Sequence, residues 1–353
     1  MSMRGNSVSA PVNRLAADLD RTLSHASVPW QELRGARIFM TGATGFFGCW
    51  LLETLKWAND RLRLGASVVA LTRDPHAFAT RVPHLISHER FTLQQGDIRT
   101  FDFPEGAFTH VIHAAVDATP LTSTDRRRAF DVSVAGTSRA LEFAHARGAS
   151  RFLFTSSGAV YGKQPLDLDR LSEDYIGGPD PVNAAAAGAE AKRAAEALCA
   201  IYASGSMQPT IARCFAFIGP YLPLDGKFAA GNFIRDARAG GPIVVAGDGR
   251  TVRSYLYAAD LAAWLWTILL RGQPMRPYNV GSDLAITIEE LARTVASQMS
   301  PSPAVRIEGK TTHGGGGDRY VPSTARAREE LGLMMTVGLE DAITRTVEWN
   351  AGL

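Results

Sequence analysis

Short apolar runs alternate with longer amphipathic stretches over the first two thirds of the chain. The runs ARIFMTG, SVVALTR, FTLQQGD, THVIHAA and RFLFTSS are typical of buried strands bounded by glycine or polar residues. Between them, GFFGCWLLETLKWA and SVAGTSRALEFAHARG carry apolar residues at helical spacing. Strands that alternate with helices predict a parallel sheet covered on both faces, with right-handed connections.

The pattern differs at both ends of the chain. Within residues 11–28, Val12, Leu15, Leu19 and Leu23 have helical spacing and predict a short helix used for packing or dimer contact. From about residue 220, segments such as RAGGPIVVAGDGR indicate a smaller, less regular lobe, with a ligand cleft between the two lobes. The run LAAWLWTILL at 261–270 predicts a buried helix started by Asp260.

Composition and charge narrow the classes of function. The 353 residues are 46% apolar, enough for a sizeable core, and the net charge of +2 comes with no basic stripe, which argues against a nucleic-acid partner. Cys49, Cys199 and Cys214 lack metal-ligand spacing, so we expect no metal site and a reducing, cytoplasmic location. The longest apolar run is far shorter than the roughly 20 residues that cross a bilayer, so we expect no membrane association.

The sequence TGATGFFG, residues 41–48, lies between the first predicted strand and the first predicted helix; we call it the phosphate-binding turn. Gly42, Gly45 and Gly48 allow the chain to turn tightly and to approach a pyrophosphate, whose charge meets the N–H groups at the helix start. Spacing alone is a weak signal, but the strand-to-helix context favours a dinucleotide-binding site. The cofactor-binding prediction therefore covers these glycines together with Thr44, Phe46 and Phe47.

The ends of the next two strands bear on the choice of dinucleotide. An acidic residue at the end of the second strand would bind a ribose 2′-hydroxyl, but Thr72 stands there and Arg73 follows. An arginine can bind a 2′-phosphate, which favours NADP(H) over NAD(H); the alternative is a solvated surface arginine. Asp97 and Ile98 follow the third strand, where an aspartate can accept a hydrogen bond from the adenine amino group.

With these motifs in place, the chain resembles the extended short-chain dehydrogenase/reductase family, in its nucleotide-sugar epimerase and dehydratase branch, over about residues 35–350. The matching segments are TGATGFFG, GDI, HAA at 113–115, TSSGAVYG at 155–162 and AKRAAE, followed by RCFAFIGPY, GNFIRDA, GDGRTVRSYLYAADLA, YNVGS and RYVPSTARAREELG. The resemblance implies a Rossmann-type doubly wound α/β domain with a smaller C-terminal substrate-binding lobe. We accordingly divide the chain into an extension at 1–34, a mainly NAD(P)-binding domain at 35–220 and a mainly substrate-binding lobe at 221–353, with some chain crossing back.

The resemblance also implies roles for individual residues. Ala114 and Ala115 would lie beside the cofactor, Lys192 would hold the nicotinamide ribose, and Ser157 would be the catalytic serine that orients the substrate oxygen. Arg253 and Asn232 would bind the diphosphate of a nucleoside diphosphate sugar. Members of this branch commonly pair through two long helices, so a homodimer is expected.

One position departs from the family pattern. The family's catalytic tyrosine lies four residues before its lysine, and here that position is Gly188, in NAAAAGAEAK. Loss of a general acid–base group typically slows a reaction about 10²- to 10⁴-fold unless another group replaces it. Tyr161 and Tyr175, which precede this position in the sequence, are the substitutes considered. The Asp-Glu pair of the dehydratases is replaced by Gly158 and Ala159, which disfavours a 4,6-dehydratase.

Three functions stay open. The first, which we favour because Ser157, Lys192 and the phosphate-binding turn are all retained, is an NAD(P)-dependent epimerase-type enzyme that works through a transient 4-keto sugar without the usual tyrosine. The second is a non-catalytic member that binds a dinucleotide or a sugar nucleotide. The third is an NADPH-dependent 4-keto-sugar-nucleotide reductase, suggested by Arg73.

Overall fold

The computed structural model describes residues 13–115, 123–203, 205–226, 228–309 and 317–351. Its strands are, in chain order, β1 (Arg37–Thr41), β2 (Ser67–Thr72), β3 (Phe91–Gln95), β4 (His110–His113), β5 (Arg151–Ser157), β6 (Gln208–Cys214), β7 (Phe217–Ile218), β8 (Ile243–Val245), β9 (Val252–Arg253), β10 (Leu256–Tyr257), β11 (Pro277–Val280), β12 (Ile286–Thr287) and β13 (Val305–Ile307). A seven-stranded sheet has the order β11-β6-β5-β4-β1-β2-β3, and all its neighbouring strands are parallel. The predicted doubly wound parallel sheet is confirmed.

The strand order reverses between β1 and β4. From β1 the sheet continues through β2 to β3, and from β4 it continues through β5 and β6 to β11. Ligands of open α/β sheets bind outside the carboxyl ends of the strands at such a reversal, because the following loops diverge to opposite faces there. The topology therefore places the expected site at the ends of β1, β4 and β5.

Helices cover both faces of this sheet. The α-helices of the described residues are, in chain order, α1 (Ala16–Leu23), α2 (Phe46–Leu62), α3 (Pro75–Arg81), α4 (Pro83–Ile86), α5 (Ser123–Ala146), α6 (Ala187–Tyr202), α7 (Ala229–Arg238), α8 (Ala258–Arg271), α9 (Ile288–Ser297), α10 (Ala325–Leu331) and α11 (Leu339–Ala351). Ile38 and Met40 of β1 join the core beneath α2 and α8, whereas Phe39 joins the core beneath α5 and α6. This alternation follows from side chains that point to opposite faces along a strand.

Helix α8 is the predicted buried helix, but its start differs from the expectation. It begins at Ala258, so Asp260 lies inside the first turn and does not start the helix. The Asp260 carboxylate accepts hydrogen bonds from the main-chain N–H groups of Thr336 at 2.9 Å and Val337 at 3.2 Å. Asp260 therefore ties α8 to the segment that leads into α11, a long-range contact that its local sequence does not indicate.

The N-terminal helix is also observed, as α1, and it packs on α2 and α8. Its Asp18 is buried and accepts a hydrogen bond of 2.6 Å from the Tyr257 hydroxyl. Leu15 and Leu19 are buried, whereas Val12 lies outside the described residues. The packing role considered for this segment is the one observed.

The C-terminal part of the chain is built from shorter pieces. β8 pairs with β13 in parallel, α7 and α9 pack beside this pair, and β9 pairs with β12 in antiparallel. β11 lies at the edge of the main sheet, where it pairs with β6. Among the described residues, no helix is both long enough and apolar enough to span a membrane.

Candidate active site

The phosphate-binding turn joins β1 to α2 at the reversal of the strand order. A Cβ atom on Gly42 would lie 2.4 Å from main-chain atoms of Ala114, and one on Gly48 would lie 2.3 Å from Ala43. Gly42 also has φ +71°, a backbone conformation that favours glycine. These two glycines are therefore required by close approach of main chain to main chain.

The start of α2 suits an anion. Gly45 is its N-cap residue, and no side chain caps the helix, so the first N–H groups are left for a ligand. A Cβ on Gly45 would meet only the Gly42 carbonyl oxygen, at 3.4 Å, so this side of the turn is not crowded. A pyrophosphate fits here, because the N–H groups and the positive end of the helix dipole attract negative charge. The main chain from Gly42 to Gly48, with Thr44, Phe46 and Phe47, would hold it.

Arg81 of α3 is a neighbour of the turn that the sequence did not indicate. Its guanidinium donates a hydrogen bond to the Thr44 carbonyl oxygen and lies 3.6 Å from the Cys49 sulfur. Nothing in the local sequence of α3 points to this contact, because it depends on how α3 packs after β2. Arg81 therefore stabilises the turn through its hydrogen bond to Thr44.

Arg73 and Asp97 lie at the ends of β2 and β3, as expected. Arg99 donates to Asp97 from its side chain at 2.8 Å and from its main-chain N–H at 2.9 Å. These hydrogen bonds to Arg99, with a smaller contribution from the charge of Arg73, lower the pKa of Asp97 to about 2. Asp97 is therefore ionised, and its role toward adenine stays a prediction, as does that of the exposed Arg73. Ile98 is buried against Gly136 of α5.

A buried histidine connects the ends of β1 and β4. Nδ1 of His113 lies 2.7 Å from the Thr41 hydroxyl and Nε2 lies 3.0 Å from the Thr137 hydroxyl, while Thr41 also accepts from the Ala115 N–H at 3.3 Å. Burial, with a smaller contribution from the charge of Lys192, lowers the pKa of His113 to about 3. His113 is thus neutral. Through its partner Thr41, it helps to hold the main chain of Ala114 and Ala115 in place.

Lys192 and Ser157 both lie at the end of β5. Lys192 of α6 is buried, its Nζ donates to the main-chain oxygen of Thr155 at 2.7 Å, and it lies 4.6 Å from the centre of the Phe154 ring. Burial lowers the pKa of Lys192 to about 8. Ser157 caps the turn after β5 by accepting from the Ala159 N–H at 3.1 Å. The structure therefore brings both predicted catalytic residues to one strand end.

Glu196, one helical turn after Lys192, does not pair with that lysine. Its carboxylate accepts hydrogen bonds from the Arg213 guanidinium at 2.7 and 3.0 Å and from the Ser156 hydroxyl at 2.5 Å. Arg213 belongs to β6, so this largely buried ion pair links α6 to β5 and β6. It holds the helix that carries Lys192 against the strand that ends at Ser157.

The segment before Lys192, which we call the α6 start (residues 184–188), is open. Ala184–Ala186 form a 3₁₀ helix, and a Cβ on Gly188 would meet no atom within 4 Å among the residues that the structure describes. A cavity of about 250 Å³ beside it is lined by Arg126, Arg127, Phe130, Ala184 and Ala187. Space for a larger side chain therefore exists, as far as the described residues show, at the position where the sequence resemblance expects a tyrosine.

The two tyrosines considered as substitutes belong to one aromatic cluster. The Tyr161 hydroxyl donates to Asn279 at 2.8 Å, and burial raises the pKa of Tyr161 to about 12. The Tyr175 ring lies 6.3 Å from the Tyr161 ring, between centroids. Tyr161 is thus engaged in a buried structural contact.

A tyrosine that the sequence did not single out, Tyr320, lies next to Ser157, with 3.5 Å between the two hydroxyl oxygens. Arg253 of β9 has its guanidinium 5.7 Å from the centre of the Tyr320 ring and donates to the main-chain oxygen of Asp318 at 3.3 Å. Asn232 of α7 accepts instead from Arg235 of its own helix, at 3.4 Å. The described contacts thus connect Arg253, but not Asn232, to Ser157 through Tyr320.

The sequence was compared with known proteins. The family model for the NAD-dependent epimerase/dehydratase family matches residues 38–281. UDP-glucuronic acid decarboxylase 1 of Arabidopsis thaliana is 30% identical over 313 residues, which is 88% of this chain and 69% of that protein. UDP-glucuronic acid decarboxylase 1 of Xenopus tropicalis is 26% identical over 355 residues, 99% of this chain and 81% of that protein.

Solved structures agree on the fold. The UDP-glucuronic acid 4-epimerase of Bacillus cereus, in complex with UDP-glucuronic acid and NAD, has a TM-score of 0.73 at 20% identity, over 90% of this chain and 99% of that one. The dTDP-glucose 4,6-dehydratase of Streptomyces venezuelae, with NAD bound, has a TM-score of 0.74 at 23% identity, over 90% and 97%. The resemblance drawn from the sequence motifs is confirmed, and the chain belongs to the NAD-dependent epimerase/dehydratase family.

Proposed function

We propose that this chain acts on a nucleoside diphosphate sugar through a transient 4-keto sugar, as an epimerase-type enzyme in which Gly188 replaces the usual tyrosine. The observation that supports it most is the convergence of three features on the carboxyl ends of β1, β4 and β5: the uncapped α2 start, the Lys192 ammonium and the Ser157 hydroxyl. A nicotinamide dinucleotide, when bound, supplies the acceptor and donor of hydride for such a reaction.

Individual residues of the chain would bind the dinucleotide and orient the substrate. The phosphate-binding turn neutralises the dinucleotide diphosphate, and Lys192 places a positive charge beside the reacting centre at neutral pH, where its pKa of about 8 keeps it mostly protonated. Ser157 orients the sugar oxygen by hydrogen bonding. Arg253, with Asn232, would bind the sugar-nucleotide diphosphate, which suits the fork of donors that a guanidinium presents.

Decarboxylation is a second candidate, and a specific observation favours it. The Arabidopsis and Xenopus relatives at 26–30% identity are UDP-glucuronic acid decarboxylases. The same initial oxidation would produce a 4-keto sugar. A 4-keto sugar that carries a carboxylate at C5 can then lose CO₂. UDP-glucuronic acid is therefore the first substrate to offer, together with neutral UDP- and dTDP-hexoses.

Three further expectations belong to this proposal. The exposed Arg73 at the end of β2 favours NADP(H), which competition between NAD⁺ and NADP⁺ binding would test. The adjacent helices α5 and α6 are where we expect a homodimer to form, which light scattering on the eluted protein would test. The cytoplasmic location stays a prediction from the cysteines.

The test is product analysis by NMR and mass spectrometry with each dinucleotide and sugar nucleotide, on the parent chain and on Gly188→Tyr. Because a Cβ at 188 would meet no atom of the described residues within 4 Å, and because positions 188 and 192 lie on one helix face, the variant is expected to turn over faster than the parent chain, by as much as about 10²- to 10⁴-fold where no other group exchanges the proton. An inverted C4 identifies an epimerase, and release of ¹³CO₂ from carboxyl-labelled substrate identifies a decarboxylase. Lys192→Met is the matched inactive control, and absence of product from both the parent chain and Gly188→Tyr would overturn the proposal.

A further inference from the structure

Tyr320 is held firmly beside the end of β5. Its main-chain N–H donates to the Val252 oxygen at 3.1 Å, which fixes the backbone against β9. Its ring packs on Phe215, with 4.5 Å between the ring centres and 35° between the planes, and the Arg253 guanidinium lies 5.7 Å from the centre of the Tyr320 ring. The ring is therefore positioned by packing, independently of its hydroxyl group.

The hydroxyl of Tyr320 points to the end of β5. It lies 3.5 Å from Ser157 Oγ and 3.4 Å from the main-chain oxygen of Cys214. Both contacts are at the long limit for hydrogen bonds between oxygens, so the hydroxyl can exchange them for a shorter bond to a ligand. No stronger partner holds it among the described residues.

Gly158 makes this position possible. A Cβ on residue 158 would lie 2.7 Å from the Tyr320 hydroxyl oxygen and 2.6 Å from the Phe215 ring. Any larger residue at 158 would therefore displace the tyrosine. Gly158 and Gly188 thus have opposite surroundings, because the space beside Gly158 is filled by a phenol and the space beside Gly188 is open.

We propose that Tyr320 is the proton-exchanging residue of this chain and that, with Ser157, it binds the reacting oxygen of the substrate in place of a tyrosine at position 188. This inference rests on the proposed function. The residue comes from the C-terminal part of the chain and reaches the reacting oxygen from the side of β9, not from α6.

In the oxidation step one proton and one hydride leave the substrate. The Tyr320 phenol first releases its proton to solvent; the O–H bond of the substrate then breaks, and its proton forms an O–H bond on the Tyr320 phenolate. A nicotinamide dinucleotide held by the phosphate-binding turn would supply the acceptor for the hydride of the substrate C–H bond. A C=O double bond remains on the sugar. Return of the hydride to the carbon and of the phenol proton to the oxygen restores the alcohol, so the enzyme ends unchanged.

The surroundings of Tyr320 determine how the step depends on pH. Cys214 of β6, Tyr161 and Arg253 of β9 face the phenol, together with the Ser157 hydroxyl. Burial dominates and raises the pKa of Tyr320 to about 12. Tyr320 is therefore a phenol at neutral pH, ready to donate in the reduction step, and the oxidation step is expected to accelerate as the pH rises and more phenolate forms.

Tyr320→Phe is the decisive variant, because it removes the hydroxyl and keeps the ring on Phe215. We expect kcat for keto-sugar formation to fall about 10²- to 10⁴-fold, with KM and the Kd for the dinucleotide unchanged. The rise of the rate with pH should disappear in the same variant. Tyr202→Phe is the matched control, since it makes the same change at the last residue of α6, ten residues after Lys192, and it should keep the parent kcat.

Rescue separates a proton-transfer role from a structural one. Adding Gly188→Tyr to Tyr320→Phe should restore turnover, and in the Gly188→Tyr background the loss of the Tyr320 hydroxyl should matter much less. Parent turnover that Tyr320→Phe leaves intact, with the same pH profile, would overturn the role of Tyr320 and leave the proposed function standing. Absence of product from both the parent chain and Gly188→Tyr would overturn both.

Discussion

The phosphate-binding turn and the α6 start both contain glycine, but their glycines have opposite surroundings. A methyl group added to Gly48 would lie 2.3 Å from the main chain of Ala43, whereas one added to Gly188 would meet no atom within 4 Å in the part of the chain that the structure describes. Glycine is thus required by packing at the turn and is not required by packing at 188. The difference teaches that a glycine motif can be interpreted only with the atoms around it.

The two regions also differ in the contacts that hold them in place. Beside the turn, the His113 ring makes hydrogen-bonding contacts with the hydroxyl groups of Thr41 and Thr137. The α6 start has a neighbouring cavity of about 250 Å³, and its helix is anchored further along, by Glu196 and Arg213. Changes at the turn should therefore reduce stability and binding together, and changes at 188 should affect chemistry with little loss of stability.

The largest expected effect is that of Gly48→Ala. Because the new methyl group would overlap main-chain atoms that cannot move aside, we expect a loss of about 3 kcal/mol in the free energy of unfolding, at the upper end of typical overpacking costs. Dinucleotide affinity should fall at least about tenfold, which corresponds to 1.4 kcal/mol. Urea unfolding and titration calorimetry measure the two quantities, and parent-like values for both would contradict the close approach seen at this turn.

An intermediate effect is expected from pH, through His113. Because its folded pKa of about 3 lies below the ordinary 6.5, the unfolded chain binds the proton first, so stability is full above pH 6.5 and falls as the pH drops toward 3. At about 1.36 kcal/mol per unit, the loss between pH 6.5 and 5 is about 2 kcal/mol. Between pH 7.5 and 5, the free energy of unfolding of His113→Asn should fall by about 2 kcal/mol less than that of the parent chain. Urea unfolding at the two pH values measures this difference.

The control for this pH effect is the same substitution at the exposed His76. His76→Asn makes the same change at a side chain outside the core and should leave the parent dependence of stability on pH unchanged. Identical pH slopes for His113→Asn and the parent chain would show that the buried imidazole does not resist protonation.

The smallest expected effect is that of Gly188→Ala, and its sign is reversed. Glycine inside a helix costs about 0.5–1 kcal/mol relative to alanine, and the new methyl group finds open space, so the variant should be more stable by about that amount. Its dinucleotide affinity should equal that of the parent chain. A destabilised variant would mean that the space beside residue 188 is occupied in the folded protein.

Much of the fold could be predicted from local patterns. The strands of the central sheet were recognisable because a parallel strand buried on both faces is a short, continuous apolar run. The start of α8 was missed because Asp260 resembles a helix-starting residue, while its carboxylate in fact binds the main chain at Thr336 and Val337. A side chain that satisfies distant N–H groups has no local signal.

The candidate site shows the same division. Gly42, Gly45 and Gly48 could be found because a phosphate-binding turn is made by consecutive residues, and Ser157 and Lys192 followed from family motifs. Arg81, Glu196 and Tyr320 could not, since each acts across more than 35 residues of chain on a partner from another element. Tyr320 lies 163 residues from Ser157.

Periodicity, glycine spacing and strand-to-helix order were thus sufficient for the class of fold and the position of the phosphate-binding turn, because these depend on short-range geometry that a few residues impose; the family followed from its motifs. The absence of a tyrosine at 188 was also visible in the sequence. Which residues lie beside Ser157 depended on packing between β5, β6 and the segment around Tyr320. Only the tertiary structure could decide that, because contacts between distant segments are set by how the whole core is filled.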